Sequence, residues 1–134
     1  MFQLSRIINV YETDLMGIVH HSNYLRFCEE ARVAWCVDKN LLINSNKAVF
    51  SLTVVETRVR HISPIRYAEP LTILVQVKVD KARVIFQYIL KVNERETARA
   101  ETVHCSLDEN FKVIRIDKSM TEILKEEKWT ETWL

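Results

Sequence analysis

The sequence predicts an α+β fold in which an antiparallel sheet is wrapped round one long central helix. Three observations predict it. One strand pattern comes first, a long helical pattern follows, and most of the rest is strands joined by short turns. The second half of the helix is apolar on nearly every side, as expected of a helix that a sheet encloses. A later strand carries Ala98, Ala100 and Thr102 on one face, and such small side chains leave room for a helix above them.

Size and composition are those of a globular protein and argue against several classes of function. The chain has 134 residues, of which 48% are hydrophobic and 28% are charged, and its net charge is +1. We expect one domain over residues 1–134, since a chain of this length can bury a sizeable core. The near-neutral charge argues against a nucleic-acid partner. No apolar run reaches the roughly 20 residues of a membrane span, and no signal peptide is visible, so we expect a cytoplasmic protein.

The three cysteines show no pattern that points to chemistry. Cys28 and Cys36 fall within the helical pattern and Cys105 within a strand. They form no CxxC pair and no even-numbered framework. We interpret them as reduced, buried thiols.

The first part of the chain is predicted to hold one strand, one loop and the long helix. The strand covers Phe2 to Val10 and the loop covers Tyr11 to His21. Ser22 or Asn23 can then cap the helix, because their side-chain oxygens accept hydrogen bonds from the free N–H groups of its first turn. The helix runs from about Tyr24 to Lys39, and its apolar stripe comprises Tyr24, Phe27, Cys28, Ala31, Ala34 and Trp35.

The second part is predicted to be mostly strands. After a polar link from Asn40 to Lys47, a strand begins at Phe50 and changes phase at Val54–Val55, which indicates a bulge. Ser63-Pro64 ends it, because proline cannot continue a central ladder. The remaining elements are strands over 71–79, 84–92, 98–107 and 111–116, a helix over Met120 to about Lys128 that Asp117 or Ser119 starts, and a tail over 129–134.

The loop before the helix holds the side chains best suited to chemistry. Gly17 is the only glycine in the chain, and glycine permits a positive φ or a close approach of another group. Asp14 lies among apolar neighbours, where a carboxylate can act as general base or nucleophile. The spacing alone favours a simpler alternative, an Asp that stabilises a turn. His20 and His21 suggest a metal site, but no third ligand has the spacing of a zinc site.

The backbone at the helix start is a second candidate. The N–H groups of His21, Ser22 and Asn23 are expected to be free and to carry the positive end of the helix dipole. Such donors can polarise an acyl carbonyl and hold the oxyanion that forms on attack. If Gly17 lets Asp14 fold back, both groups face one carbonyl. Four cations either meet ligand phosphates or are ordinary solvated strand charges: Arg58, Arg60, Arg66 and Lys78.

Three motifs resemble those of a known enzyme family. The first is YETDLMGIVHHSNYL at positions 11–25, continued by EEAR at 29–32. The second is IRYAEPLT at 65–72, directly after Pro64, and the third is ARAET at 98–102. Together they cover almost the whole chain and resemble the signature of hotdog-fold acyl-CoA thioesterases. The branch that they resemble most is that of 4-hydroxybenzoyl-CoA thioesterase and the YbgC-type enzymes.

The resemblance implies a hotdog fold and a set of roles. Asp14 would be the catalytic carboxylate, and the backbone N–H of His21 would polarise the thioester carbonyl. Active sites of this family lie at a dimer interface, and tetramers built from two dimers are common. His20 stands where the family usually has an aromatic residue such as Tyr, and Glu12 replaces the more frequent Asp. The acyl-group preference is therefore left open.

We accordingly predict an acyl-CoA thioesterase that needs no metal or other cofactor and forms a homo-oligomer, either a dimer or a tetramer. Asp14 and His21 are its predicted catalytic residues. The predicted substrate-binding residues are Gly17, His20, Ser22, Asn23, Tyr24, Arg66 and Tyr67. Two alternatives stay open: a thioesterase that acts on an acyl carrier protein, and a non-catalytic module that binds acyl-CoA. A hydratase is disfavoured, because the histidine motifs of hydratases on this fold are absent.

Overall fold

The computed structural model describes residues 1–41, 52–116 and 118–133 of the chain. Predictions that fall on residues 42–51, on Asp117 or on the side chain of Ser119 lie outside the described residues. These are most of the polar link, the start of the second strand at Phe50 and the cap of the last helix. The elements, in order, are β1 (Phe2–Ile7), α1 (Ser22–Asp38), β2 (Leu52–His61), β3 (Pro70–Asp80), β4 (Arg83–Val92), β5 (Arg95–Leu107), β6 (Val113–Ile114) and α2 (Lys118–Lys125).

The strands form one antiparallel sheet in the order β1-β3-β4-β5-β2, with β6 paired to the end of β5. The prediction of an α+β protein with an antiparallel sheet is confirmed. The predicted bulge in β2 is also confirmed, since its pairing with β5 shifts register between Val54 and Glu56. Because β1 and β2 lie at the two edges, the outer side of each pairs with no other strand of the described residues.

The helix α1 packs on the inner face of the sheet and comes closest to β3 and β1. Trp35 of α1 meets Phe86 of β4 edge to face, with ring centroids 5.4 Å apart. Ala98 and Ala100 of β5 are buried in the same apolar core. Alternate residues of β3 and β4 supply further members of this core: Leu71, Ile73, Val75, Val77, Val84, Tyr88, Leu90 and Val92.

Several predicted boundaries were wrong, and two corrections matter for the site. β1 ends at Ile7 because a short 3-10 turn follows at Val10–Glu12. The backbone N–H of Asn9 donates to Glu12 Oε1 at 2.9 Å and fixes this turn. The helix α1 begins at Ser22, two residues before its predicted start, and its N-cap is His21. Three further boundaries also differ from the prediction: α1 ends at Asp38, β6 covers only Val113–Ile114 and α2 ends at Lys125.

The C-terminal tail crosses the outer face of the sheet. The Gln76 side chain accepts from the Thr130 N–H at 2.9 Å and donates to the Thr130 carbonyl at 2.8 Å. Arg99 donates to the Thr132 carbonyl at 2.8 Å, and Trp133 is buried. The two tryptophans of the tail therefore cover the sheet. No helix among the described residues is long and apolar enough to cross a membrane.

Candidate active site

The loop between β1 and α1 folds back on itself at Gly17. The Asp14 N–H donates to the Ile18 carbonyl at 2.8 Å, and the Gly17 N–H donates to the Asp14 carbonyl at 3.0 Å. Gly17 has a φ of +78°, a conformation that glycine adopts without the steric cost of a Cβ. Thr13 and Val19 pair across the loop. This turn holds Asp14 at one side of the helix start.

The Asp14 carboxylate stabilises the turn with one oxygen. Asp14 Oδ1 accepts from the Met16 N–H at 2.8 Å and from the Ile18 N–H at 3.4 Å. The turn-stabilising alternative is therefore present in the structure. Asp14 Oδ2 has no hydrogen-bond partner among the described residues, and Asp14 lines a cleft. The same side chain can thus hold the loop and offer a carboxylate oxygen to a ligand.

Glu12 and Asn23 hold together the two ends of the loop, next to β1 and at the start of α1. Arg6 donates to both carboxylate oxygens of Glu12, at 2.8 and 2.6 Å. The Glu12 carbonyl accepts from the His20 N–H at 3.0 Å and from the Asn23 side-chain amide at 2.8 Å. Asn23 is buried, and its side chain is engaged in closing the loop rather than in lining the cleft.

One backbone N–H at the helix start is left open. The Ser22 N–H donates to His20 Nδ1 at 3.2 Å, and the Asn23 N–H donates to the His20 carbonyl at 2.9 Å. The expectation that both are free was therefore wrong. The His21 N–H has no hydrogen-bond partner among the described residues. It lies at the positive end of the α1 dipole, where a partly negative oxygen is stabilised.

The two adjacent histidines have different surroundings. Their rings lie 4.2 Å apart between centroids. His20 Nδ1 lies 2.8 Å from Ser22 Oγ, so these two side chains are hydrogen-bonded to each other. His21 lines the cleft together with Asp14.

The cleft has a volume of about 480 Å³. One wall comes from the loop and the first turn of α1, and the other comes from the segment that ends β2. Of the predicted site residues, Gly17, His20, Ser22, Asn23, Arg66 and Tyr67 do not line it. The lining residues are Asp14, Ile18, Val19, His21, Tyr24, His61, Ile62, Ser63 and Pro64.

The wall from β2 was missed in the sequence. His61 lies two residues before Ser63-Pro64, where the sequence already predicts a strand end, but no pattern in the sequence places that end beside the loop. Arg95 fixes this wall by donating to Ser63 Oγ at 2.9 Å and to the Pro64 carbonyl at 2.6 Å. Arg95 also donates to Glu69 Oε2 at 2.9 Å.

The loop over 65–69 joins the two walls through its backbone. The Val19 N–H donates to the Ile65 carbonyl at 2.8 Å, and the Arg66 N–H donates to Glu69 Oε1 at 2.7 Å. The Arg66 side chain is exposed. Two of the four cations considered for phosphate binding have partners inside the protein: Arg58 pairs with Glu101 at 2.8 Å, and Lys78 lies 4.3 Å from the centre of the Trp129 ring.

Comparisons with known proteins identify the family of this chain. Residues 8–124 match the family model of the thioesterase-like superfamily. The chain belongs to this superfamily. The prediction of a thioester hydrolase is thereby confirmed at the level of the family.

Individual proteins and solved structures are also similar to this chain. A protein of Aquifex aeolicus (strain VF5) is 29% identical over 127 residues, which cover 93% of this chain and 98% of that protein. The acyl-CoA thioesterase YbgC of Helicobacter pylori (strain 26695) is 31% identical over 67 residues, about half of each chain (50% and 49%). The crystal structure of Slr0204 from Synechocystis, a 1,4-dihydroxy-2-naphthoyl-CoA thioesterase, superposes with a TM-score of 0.85 at 20% identity and covers 93% of this chain and 96% of that one. This likeness confirms the predicted hotdog fold.

Proposed function

We propose that this member of the thioesterase-like superfamily hydrolyses the thioester of an acyl-CoA to a free carboxylic acid and CoA. One observation carries the proposal: Asp14 and His21 line the same cleft. Asp14 has a carboxylate oxygen, and His21 a backbone N–H, without a partner among the described residues. An anionic oxygen and an unpaired donor in one cleft are the two groups that acyl transfer from a thioester requires.

The proposed mechanism divides the work between these groups. The thioester carbonyl oxygen accepts a hydrogen bond from the His21 N–H, which stabilises the negative charge that develops there during attack. Asp14 Oδ2 either takes a proton from the attacking water or attacks the carbonyl carbon itself. In both routes the bond from carbon to sulfur breaks, and CoA leaves as the thiolate and is protonated. In the second route the acyl group is then bonded to Asp14 as a mixed anhydride, and water hydrolyses this anhydride to release the carboxylic acid and restore the Asp14 carboxylate. Water supplies the oxygen and hydrogen that the two products gain.

We further propose that the enzyme works as a homodimer joined along β2. This edge strand leads directly to His61 in the cleft wall, and its outer side pairs with no strand of the described residues. Val54 and Val55 on this strand are exposed. Open backbone groups and exposed β-branched side chains favour pairing with a second strand. Assembly of two dimers into a tetramer, and a cytoplasmic location, rest on the family resemblance and the composition.

The test is thiol release from a panel of acyl-CoA thioesters by the purified full-length protein. We expect catalytic turnover that yields one carboxylic acid for each CoA. The control substrates are the same acyl groups on an acyl carrier protein. A higher kcat/KM on the carrier-protein substrates would show that the enzyme acts on acyl carrier protein thioesters rather than on acyl-CoA. Binding without turnover would identify a non-catalytic acyl-CoA-binding module.

A further inference from the structure

Glu12 is a buried carboxylate outside the cleft, and its side chain is bonded to two other parts of the chain. It accepts two hydrogen bonds from the guanidinium of Arg6, at 2.8 and 2.6 Å, and one from the Asn9 N–H at 2.9 Å. Only 7% of Glu12 is exposed. Paired bonds between an arginine and a carboxylate fix the direction of both groups as well as their distance. The Glu12 side chain is therefore held in one orientation.

Arg6 is in turn held between β1 and α1. It is a residue of β1, and its guanidinium lies 4.5 Å from the centre of the Phe27 ring of α1. A cation over an aromatic face is attracted to it. Arg6 Nε also lies 3.4 Å from Glu30 Oε2 of the same helix. Through Arg6, Glu12 is thus tied both to the strand before the loop and to the helix after it.

The backbone of Glu12 acts on the start of the helix. Its carbonyl accepts from the His20 N–H at 3.0 Å and from the Asn23 side-chain amide at 2.8 Å. His20 directly precedes His21, whose N–H is the proposed oxyanion donor, and Asp14 follows Glu12 by two residues. A displacement of Glu12 would therefore change the position of the donor relative to the carboxylate.

We propose that Glu12 is a positioning residue for thioester hydrolysis: held by Arg6, it fixes the His21 N–H relative to the Asp14 carboxylate. Glu12 does not line the cleft, so it acts only through these groups. A displacement of about 1 Å between reacting groups can cost about 10²-fold in rate, and an oxyanion donor is effective only when it points at the oxygen that becomes charged. This inference rests on the proposed function, because it assigns how the groups of that site are held.

The kinetic experiment compares Glu12→Gln with the wild type on the acyl-CoA panel. Glutamine has nearly the same shape, but its amide nitrogen replaces one of the two oxygens that accept from Arg6, so two donors meet there. We expect kcat to fall about 10–100-fold. KM should change by less than about two-fold, because the lost interaction acts in the transition state and not in substrate binding.

Glu96→Gln is the matched control. The Glu96 carboxylate also accepts two hydrogen bonds from one arginine, Arg99, at 3.1 and 2.8 Å. Arg99 holds the C-terminal tail by donating to the Thr132 carbonyl, and neither residue lines the cleft. Glu96→Gln therefore breaks an equivalent pair and should keep the wild-type kcat. An equal fall of kcat in the two variants would overturn the positioning role of Glu12.

Arg6→Lys decides the question if Glu12→Gln does not fold. Lysine keeps the positive charge but cannot bond both oxygens of the Glu12 carboxylate in the geometry of a guanidinium. The same pattern is expected, a lower kcat with KM nearly unchanged. A folded Glu12→Gln with wild-type kcat, or in its absence a folded Arg6→Lys with wild-type kcat, overturns the proposal.

Infrared spectroscopy separates this inference from the proposed function. The probe is benzoyl-CoA with an isotope label at its carbonyl carbon, bound to Asp14→Asn so that hydrolysis is slow. A hydrogen bond from the His21 N–H polarises this carbonyl and lowers its stretching frequency below that of the free thioester. Adding Glu12→Gln should return the frequency towards the free value, and adding Glu96→Gln should not.

Each result of this measurement has one meaning. A frequency that returns in the Glu12→Gln background supports the positioning role even if the wild type turns over no thioester, which would refute only the proposed function. An equal frequency with and without Glu12→Gln refutes the positioning role even if hydrolysis is fast. No lowering at all in Asp14→Asn refutes the oxyanion donor, and the positioning role with it.

Discussion

Two regions of this protein combine a tyrosine and a histidine, and they differ in how their polar atoms are paired. In the cleft, Tyr24 and His61 have polar atoms without hydrogen-bond partners among the described residues. In the core, Tyr88 and His104 belong to a hydrogen-bonded chain. That chain begins at Arg32 of α1 and ends on β5.

In the core, successive hydrogen bonds connect these side chains. Arg32 donates to the Tyr88 hydroxyl at 3.1 Å, and this hydroxyl lies 2.8 Å from Thr102 Oγ1. Thr102 Oγ1 in turn lies 2.9 Å from His104 Nε2, which leaves only Nδ1 of that ring without a partner among the described residues. Burial, reinforced by the positive charge of Arg32, lowers the pKa of His104 to about 4. The ring is therefore neutral near pH 7.

The difference shows how to tell a structural polar cluster from a candidate site. The residue types are the same, and both groups lie against the same helix. What distinguishes the cleft is an open volume beside polar atoms that have no partner among the described residues. We therefore expect changes in the core chain to alter stability and changes in the cleft to alter activity.

The largest stability effect is expected for Thr102→Val. Valine keeps the shape but removes the hydroxyl that joins Tyr88 to His104, which leaves both buried polar groups short of a partner. The free energy of unfolding should fall by about 2–6 kcal/mol, at about 1–3 kcal/mol for each of the two groups. Urea unfolding measures this loss. Turnover per folded molecule should stay near the wild-type value, and a large fall in kcat at unchanged stability would break the comparison.

A smaller effect is expected at the turn that positions Asp14. Nothing lies within 4 Å of a Cβ placed on Gly17, so Gly17→Ala meets no steric clash and is opposed only by the φ of +78°. The strain is about 1 kcal/mol, and kcat/KM should fall about five-fold as the loop leaves its active conformation.

Gly17→Asn is the matched control for this effect. Asparagine tolerates positive φ better than alanine does, so this variant should retain more activity than Gly17→Ala. Equal losses in the two variants would mean that backbone conformation is not the reason for glycine at this position.

The sequence predicted those features that depend on local pattern. The strands over 71–79 and 84–92, the bulge in β2 and the helical stripe of α1 depend on local signals, and each was confirmed. The start of α1 was misplaced because Ser22 and Asn23 are good N-cap residues by type. In the structure the His20 side chain accepts from the Ser22 N–H, and the Asn23 side chain donates to the Glu12 carbonyl instead of capping the helix.

The cleft could be predicted only in part. Asp14 and His21 lie in one continuous motif, so their proximity follows from a short loop and a turn. His61 reaches the cleft through the pairing of β2 with β5, in which it lies opposite Ala98, and Arg95 at the start of β5 supports the adjacent wall. Long-range register of this kind has no signal in a single sequence. The side chains that line the second wall were therefore invisible until the sheet was known.

The most direct test of the central claim is thiol release by Asp14→Asn compared with the wild type. Asparagine keeps a side-chain oxygen for the Met16 N–H, so the unfolding midpoint should be almost unchanged. Loss of the carboxylate removes the base or nucleophile and should lower kcat by about 10²–10⁴-fold. A folded Asp14→Asn enzyme with wild-type turnover would contradict the assignment of Asp14 as the catalytic carboxylate.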